Sequence, residues 1–141
     1  MESNEILKPV ALLAAWSLLM WFWMYVTRIP AMQAAGITPD PSLPNGQQMA
    51  SLPARVRWKA DNYNHLMEQP TVFYALAISL AVIGDVSGMD IVWAWAYLGT
   101  RVLHSLIQAL WNKIEVRFLV FVLSNVPLFA LTFSAVNSLF L

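Results

Sequence analysis

The sequence predicts an all-α integral membrane protein, a four-transmembrane-helix bundle running up and down. Three observations lead there. Of the 141 residues, 59% are hydrophobic and only 11% are charged, against about 25% charge in a soluble domain, and the mean hydropathy is +0.58. Four apolar stretches each reach the ~20 residues that a spanning helix needs. The joins after the second and third stretches are short, which sets neighbouring helices antiparallel. So little chain is left over that residues 1–141 are expected to form one domain.

The first span, about residues 6–28, contains "ILKPVALLAAWSLLMWFWMYV" (Ile6 to Val26). It follows an acidic "MESNEILKP", which lacks the basic start of a cleaved signal peptide, so the span is expected to be retained. Five of the eight prolines fall between Arg28 and Pro53, which predicts a long loop over 29–54. Helix resumes near Arg55. The second span, about 62–84, joins "NYNHLMEQP" to "TVFYALAISLAVIG". Pro70 has no N–H for the Leu66 carbonyl and predicts a kink. The turn "GDVSGMD" leads to the third span, about 90–111, "IVWAWAYLGTRVLHSLIQALW". "NKIEVR" then leads to the fourth, about 117–139, within "FLVFVLSNVPLFALTFSAVNSLFL", where Pro127 strips a partner from Leu123 in the same way.

Arg28, Arg55, Arg57, Lys59, Lys113 and Arg117 flank the first and third connections, and Lys8 lies on the other side. The positive-inside rule puts the long loop in the cytoplasm and both termini on the non-cytoplasmic side. Trp21, Trp23, Trp93, Trp95 and Trp111 cluster toward span ends as interfacial belts. The compact chain, with no retention signal, is expected in a bacterial inner membrane. Cysteine is absent, which excludes disulfides and thiolate metal sites, and two histidines on different helices make a weak case for a metal, so none is expected. A net charge of zero argues against a nucleic-acid partner.

Polar residues inside the spans carry the functional signal. Asp61, His65 and Glu68 share a helix face at i, i+4, i+7, with Asn64 beside them. Arg101, His104 and Gln108 share another at i, i+3, i+7. Arg117 opens the fourth span, and Ser124 and Asn125 follow two turns further in. Ionisable groups in lipid are expensive unless they face the bundle or water, so these residues are expected to converge on a polar cleft. A Glu68–Arg101 ion pair with amides as interhelical glue would explain them by packing alone. One pair is enough for packing, however. The excess of arginines, histidines and amides points to a site for an anionic, polar ligand.

At these residues the chain resembles the MAPEG family, membrane-associated proteins in eicosanoid and glutathione metabolism. The resemblance covers nearly the whole chain. It is most specific in "NHLMEQP" and in "RVLHSLIQALWNKIEVR". The R-x2-H-x12-R spacing of the latter is similar to that of the microsomal prostaglandin E synthase and glutathione transferase branch. The resemblance implies a homotrimer with a glutathione site between neighbouring subunits. Glu68 would receive the ligand's amino group, Asn64 or His65 would bond its backbone, and Arg101 and His104 would hold a carboxylate. Arg117 would sit near the sulfur as the catalytic residue. Gln108 and Phe121 stand where glutathione-binding members often carry tyrosines, Gln108 still counting among the glutathione contacts. Glu68 follows Asn64 by four residues where the family usually has three, and His65 takes the expected Asn place.

The implied function is a glutathione-dependent transferase or peroxidase acting on lipophilic electrophiles, with glutathione as co-substrate and no metal. Its partners would be the bilayer, glutathione, a lipophilic small molecule and further copies of itself. The alternative is a non-catalytic lipid-binding scaffold of the same fold. A small transporter is disfavoured because the chain has no inverted repeat.

Overall fold

The structure, a computed structural model, describes residues 2–141; Met1, where the expected domain begins, lies outside the described residues. Six α-helices make up four long rods. α1 (Glu2–Glu5) and α2 (Leu7–Ala34) form the first, α3 (Ala54–Leu66) and α4 (Pro70–Ile83) the second. α5 (Gly88–Leu110) and α6 (Ile114–Phe140) form the third and fourth. The all-helical, four-rod architecture is the one expected.

Several boundaries differ from the sequence reading. The first helix does not end at residue 28 but runs to Ala34, with Pro30 inside it. An internal proline removes one donor and crowds one carbonyl, and α2 absorbs that loss without ending. The loop therefore starts after Ala34, not at 29. The fourth helix begins at Ile114, with Lys113 as its N-cap, so Arg117 lies one turn inside the helix instead of opening it.

At Pro70 the second rod breaks outright instead of kinking. α3 ends at Leu66 and Pro70 is the first residue of α4, a position where its missing N–H is no loss. Met67, Glu68 and Gln69 make the joint, held by short-range bonds from Glu68 N to His65 O (3.3 Å) and from Val72 N to Gln69 O (3.0 Å). The joint is tied sideways. Gln69 Nε2 donates to Asn125 Oδ1 of α6 at 2.6 Å, and Tyr97 Oη of α5 donates to Gln69 Oε1 at 3.3 Å.

Three rods, Ser3–Ala34, Ala54–Ile83 and Ile114–Phe140, are long and apolar enough to cross a membrane on their own. α5, which covers the expected third span, is not among them. At 23 residues it is about 34 Å long, so length is not the reason. Its inward face carries Asp90, Arg101, His104, Ser105 and Gln108 among the buried residues, while Val92, Trp95, Leu103, Leu106 and Leu110 face outward. It is amphipathic in a helical period and sits at the centre of the bundle, packed on α6, α3 and α2. α4 closes the far side against α6 and α2.

The turns suit this packing. Ser87 and Asp90 form a reciprocal capping box at the start of α5. Gly84 ends α4 with φ +82°, a left-handed cap that glycine adopts without strain. The apolar core, including Leu13, Phe73, Leu80, Tyr97 and Leu131, fills this end of the bundle, with Phe73 stacked on Tyr97 at 4.5 Å. The polar residues gather at the opposite end, beside the loop.

Candidate functional site

α3 and α5 run antiparallel in a fixed register. Lys59 Nζ approaches Ala109 O at 3.5 Å. Two turns along, Arg101 Nη2 donates to His65 Nδ1 at 2.9 Å and lies 3.4 Å from His65 O. An arginine has no acceptor, so Nδ1 of His65 must be the acceptor, and in the neutral ring its proton sits on Nε2. The His65 ring stacks on His104 at 4.8 Å and 22°. Phe121 of α6 meets His65 edge-on at 5.5 Å and lies 5.9 Å beneath the Arg101 guanidinium carbon.

Arg101 is fully buried, at 0% exposure. Its Nε and Nη1 have no hydrogen-bond partner. The one ion pair among the described residues joins Lys8 to Glu5, at the far end of the chain's first rod. A Glu68–Arg101 pair, the alternative that packing alone would give, is therefore not formed. A buried cation without a counter-charge is strongly unfavourable, and this one is surrounded by rings.

A cavity of about 250 Å3 opens from this cluster, lined by His65, His104, Gln108, Arg117, Phe118 and Phe121. The Oε1 of Gln108 is buried without a partner. Arg117 is steered by the turn before it: its Nη1 donates to Asn112 Oδ1 at 2.6 Å. Asn112 has φ +54°, a left-handed conformation that asparagine tolerates better than most residues.

The structure thus brings His65, Arg101, His104, Gln108 and Arg117 to one place. It does not bring Asn64 or Glu68 there. Asn64 is exposed and lines a second cavity, because adjacent helical residues point about 100° apart. Asp61 lines that second cavity too. Glu68 sits in the joint after α3, out of register with the helix face that the sequence assigned to it, and is exposed. Asn125 turns away to Gln69 and to Phe121 O, and the Ser124 hydroxyl bonds Phe121 O at 2.6 Å.

Sequence reasoning passed over four residues. Asn112, Gln69 and Tyr97 orient or brace the site, as described above. Asn62 is buried with both side-chain polar atoms unpartnered, one turn from His65 on α3. The signal for Gln69 was present, a polar side chain directly before a span proline. Asn112 was legible as a helix-ending asparagine. Among the described residues there is no group of three or more His, Cys, Asp or Glu that would hold a metal ion.

The second cavity, about 490 Å3, lies between the end of α2, the start of α3 and the loop, and includes Arg28 and Arg57. The loop is folded over it. Gln48 clasps the opposite arm of the loop, accepting from Asp40 N at 3.0 Å and donating to Thr38 O at 2.8 Å.

The model of the MAPEG family matches residues 6–137. No curated protein and no solved structure matches the chain.

Proposed function

The chain belongs to the MAPEG family, and on that premise we propose that it is a membrane-bound, glutathione-dependent transferase or peroxidase acting on lipophilic electrophiles. The observation that carries this reading is Arg101, a fully buried guanidinium with two unpartnered nitrogens and no carboxylate within the 4.0 Å of an ion pair. A carboxylate of the tripeptide supplies the missing charge, with His104 beside it. Gln108 offers an amide to the ligand backbone.

Arg117 acts on the sulfur. A free thiol ionises near pH 8.5, and only its thiolate is a good nucleophile (about 8.5 for cysteine). A guanidinium held close stabilises the thiolate and raises its population. Asn112 holds Arg117 for this task. In conjugation the thiolate sulfur bonds to the electrophilic carbon as that carbon's bond to its leaving group, epoxide oxygen or conjugated double-bond partner breaks and carries the electron pair away. In peroxide reduction the thiolate attacks the peroxide oxygen and breaks the O–O bond, the alkoxide leaves as an alcohol after taking up a proton, and a second glutathione thiol displaces water from the resulting sulfenic acid to give the disulfide. The lipophilic partner enters from the bilayer, and the gain comes mainly from bringing the two together.

The site needs a second copy of the chain, as in the homotrimer that we propose. The cavity of about 250 Å3 is smaller than the roughly 300–1,000 Å3 of small-ligand sites. Depth gives the same answer. α4 has 14 residues, about 21 Å, against a hydrocarbon layer of about 30 Å. The joint at Glu68 therefore lies within the hydrocarbon layer. An exposed carboxylate there must face water or a neighbouring copy, where it would receive the ligand's amino group alongside Asn64. On this reading the loop faces the cytoplasm, the source of glutathione.

One observation favours a second reading, a non-catalytic lipid-binding scaffold. Phe121 packs its ring on both histidines where a hydroxyl would suit a thiolate. The test is calorimetry with glutathione on detergent-purified protein, alongside ultraviolet absorbance of the thiolate. Saturable binding with a thiolate band supports the enzyme. No binding at millimolar glutathione, in intact oligomers, removes it and leaves the scaffold.

A further inference from the structure

The second cavity lies apart from the Arg101 cluster, and its position in the membrane can be fixed by length. The apolar stretch Ile6 to Val26 measures about 31 Å as helix, the thickness of the hydrocarbon layer. Arg28 therefore stands where the headgroup layer begins, at the loop end of the bundle. Arg57, in the first turns of α3, stands at the same level.

Both arginines line the cavity. The Nε of Arg28 is buried without a protein partner. Arg57 donates its Nε to Leu52 O at 3.0 Å, which anchors the guanidinium to the loop and leaves its terminal nitrogens free of partners among the described residues. Asp61 also lines the cavity, but neither arginine lies within the 4.0 Å of a carboxylate that an ion pair requires. The lining is therefore left with an excess of one positive charge. Its other half is apolar, through Met49, Leu52 and Val56. Gly46, with φ +80°, turns the loop at the rim. At about 490 Å3 the space lies within the roughly 300–1,000 Å3 range of small-ligand sites.

We propose that this cavity binds a phosphate-bearing anion, its phosphate between Arg28 and Arg57 and its carbon chain against Met49 and Val56. Guanidinium forks match phosphate oxygens better than any other side chain, and basic pockets at the ends of spans hold lipid headgroups. The ligand is either the headgroup of an anionic phospholipid or a soluble organic phosphate of similar size. The site shares no arginine or histidine with the glutathione reading, and Asn64 borders both.

The experiment is native mass spectrometry of the intact oligomer, equilibrated with equal phosphatidylglycerol and phosphatidylcholine. The wild type should retain phosphatidylglycerol preferentially. Arg28→Gln and Arg57→Gln should each reduce the preference by about fivefold, and the double variant should abolish it. Arg28→Lys with Arg57→Lys keeps the charge and should retain most of it, which separates ligand loss from misfolding. Arg55→Gln, an exposed arginine outside the cavity, should change nothing. Displacement by millimolar glycerol 3-phosphate identifies the soluble phosphate as sufficient; resistance to it identifies the lipid. Equal retention of the two lipids by wild type without displacement by glycerol 3-phosphate, or an unchanged preference in the double glutamine variant, overturns the proposal.

Discussion

Arg101 and His65 face each other across the α3–α5 interface, with guanidinium Nη2 2.9 Å from imidazole Nδ1. This is a cation bonded to a neutral ring, with no carboxylate in ion-pair contact. A pair built for packing would have used Glu68, three residues further along. That carboxylate is instead exposed in the joint. Two of the Arg101 nitrogens, Nε and Nη1, are left without a hydrogen-bond partner in the protomer.

Arg101→Met tests that reading directly. It removes a buried, uncompensated charge and keeps an apolar stem of similar length. Thermal stability in detergent should hold or rise, while glutathione affinity falls about ten- to a hundredfold. A large fall in the melting temperature would assign Arg101 to packing.

Glu68→Gln should leave stability within about 0.5 kcal/mol, as for other exposed substitutions. Glutathione binding should weaken about tenfold or more, the scale of a charge-assisted hydrogen bond. Unaltered calorimetric affinity would remove Glu68 from the ligand site.

Asn112→Gly keeps the left-handed backbone and frees Arg117 from its 2.6 Å tether. Arg117→Ala should eliminate the thiolate band of bound glutathione. Asn112→Gly should reduce it only partly and lower kcat more than it raises KM. Equal thiolate absorbance in wild type and Arg117→Ala would show that another group activates the sulfur.

Gln69→Leu cuts the bonds from the α3–α4 joint to Asn125 and Tyr97. Interhelical hydrogen bonds in membranes are each worth about 0.6 kcal/mol and at most about 1.7 kcal/mol. The variant should lose about 1–2 kcal/mol in reversible unfolding and bind glutathione more weakly, because the joint that carries Glu68 is released. Asn125→Leu, which cuts one of the two interhelical bonds, should show both effects at about half the size.

Much of this was legible in the chain. Hydropathy runs in one dimension, so the apolar stretches marked the rods, and the polar set at Arg101, His104, Gln108 and Arg117 was picked out by spacing. Where reading failed, the cause was local geometry. The run of prolines predicts a loop from residue 29, yet α2 continues through Pro30 to Ala34, because the effect of one proline depends on how a single lost bond is absorbed. Asn64 and His65 could not be told apart because neighbours on a helix differ only by a rotation of about 100°.

Sequence alone determined that this chain lives in a membrane as helices and that its polar residues must be hidden from lipid. Both follow from the cost of exposing charge or unpaired backbone to hydrocarbon, which depends on composition and length. Only the tertiary structure decided which polar residues share a cavity. The break at Met67–Gln69 resets the helical phase, so Glu68 leaves the face of His65, and the register of α3 on α5 puts Arg101 against that histidine. Those outcomes depend on how two helices dock, and no periodicity within either one contains that information.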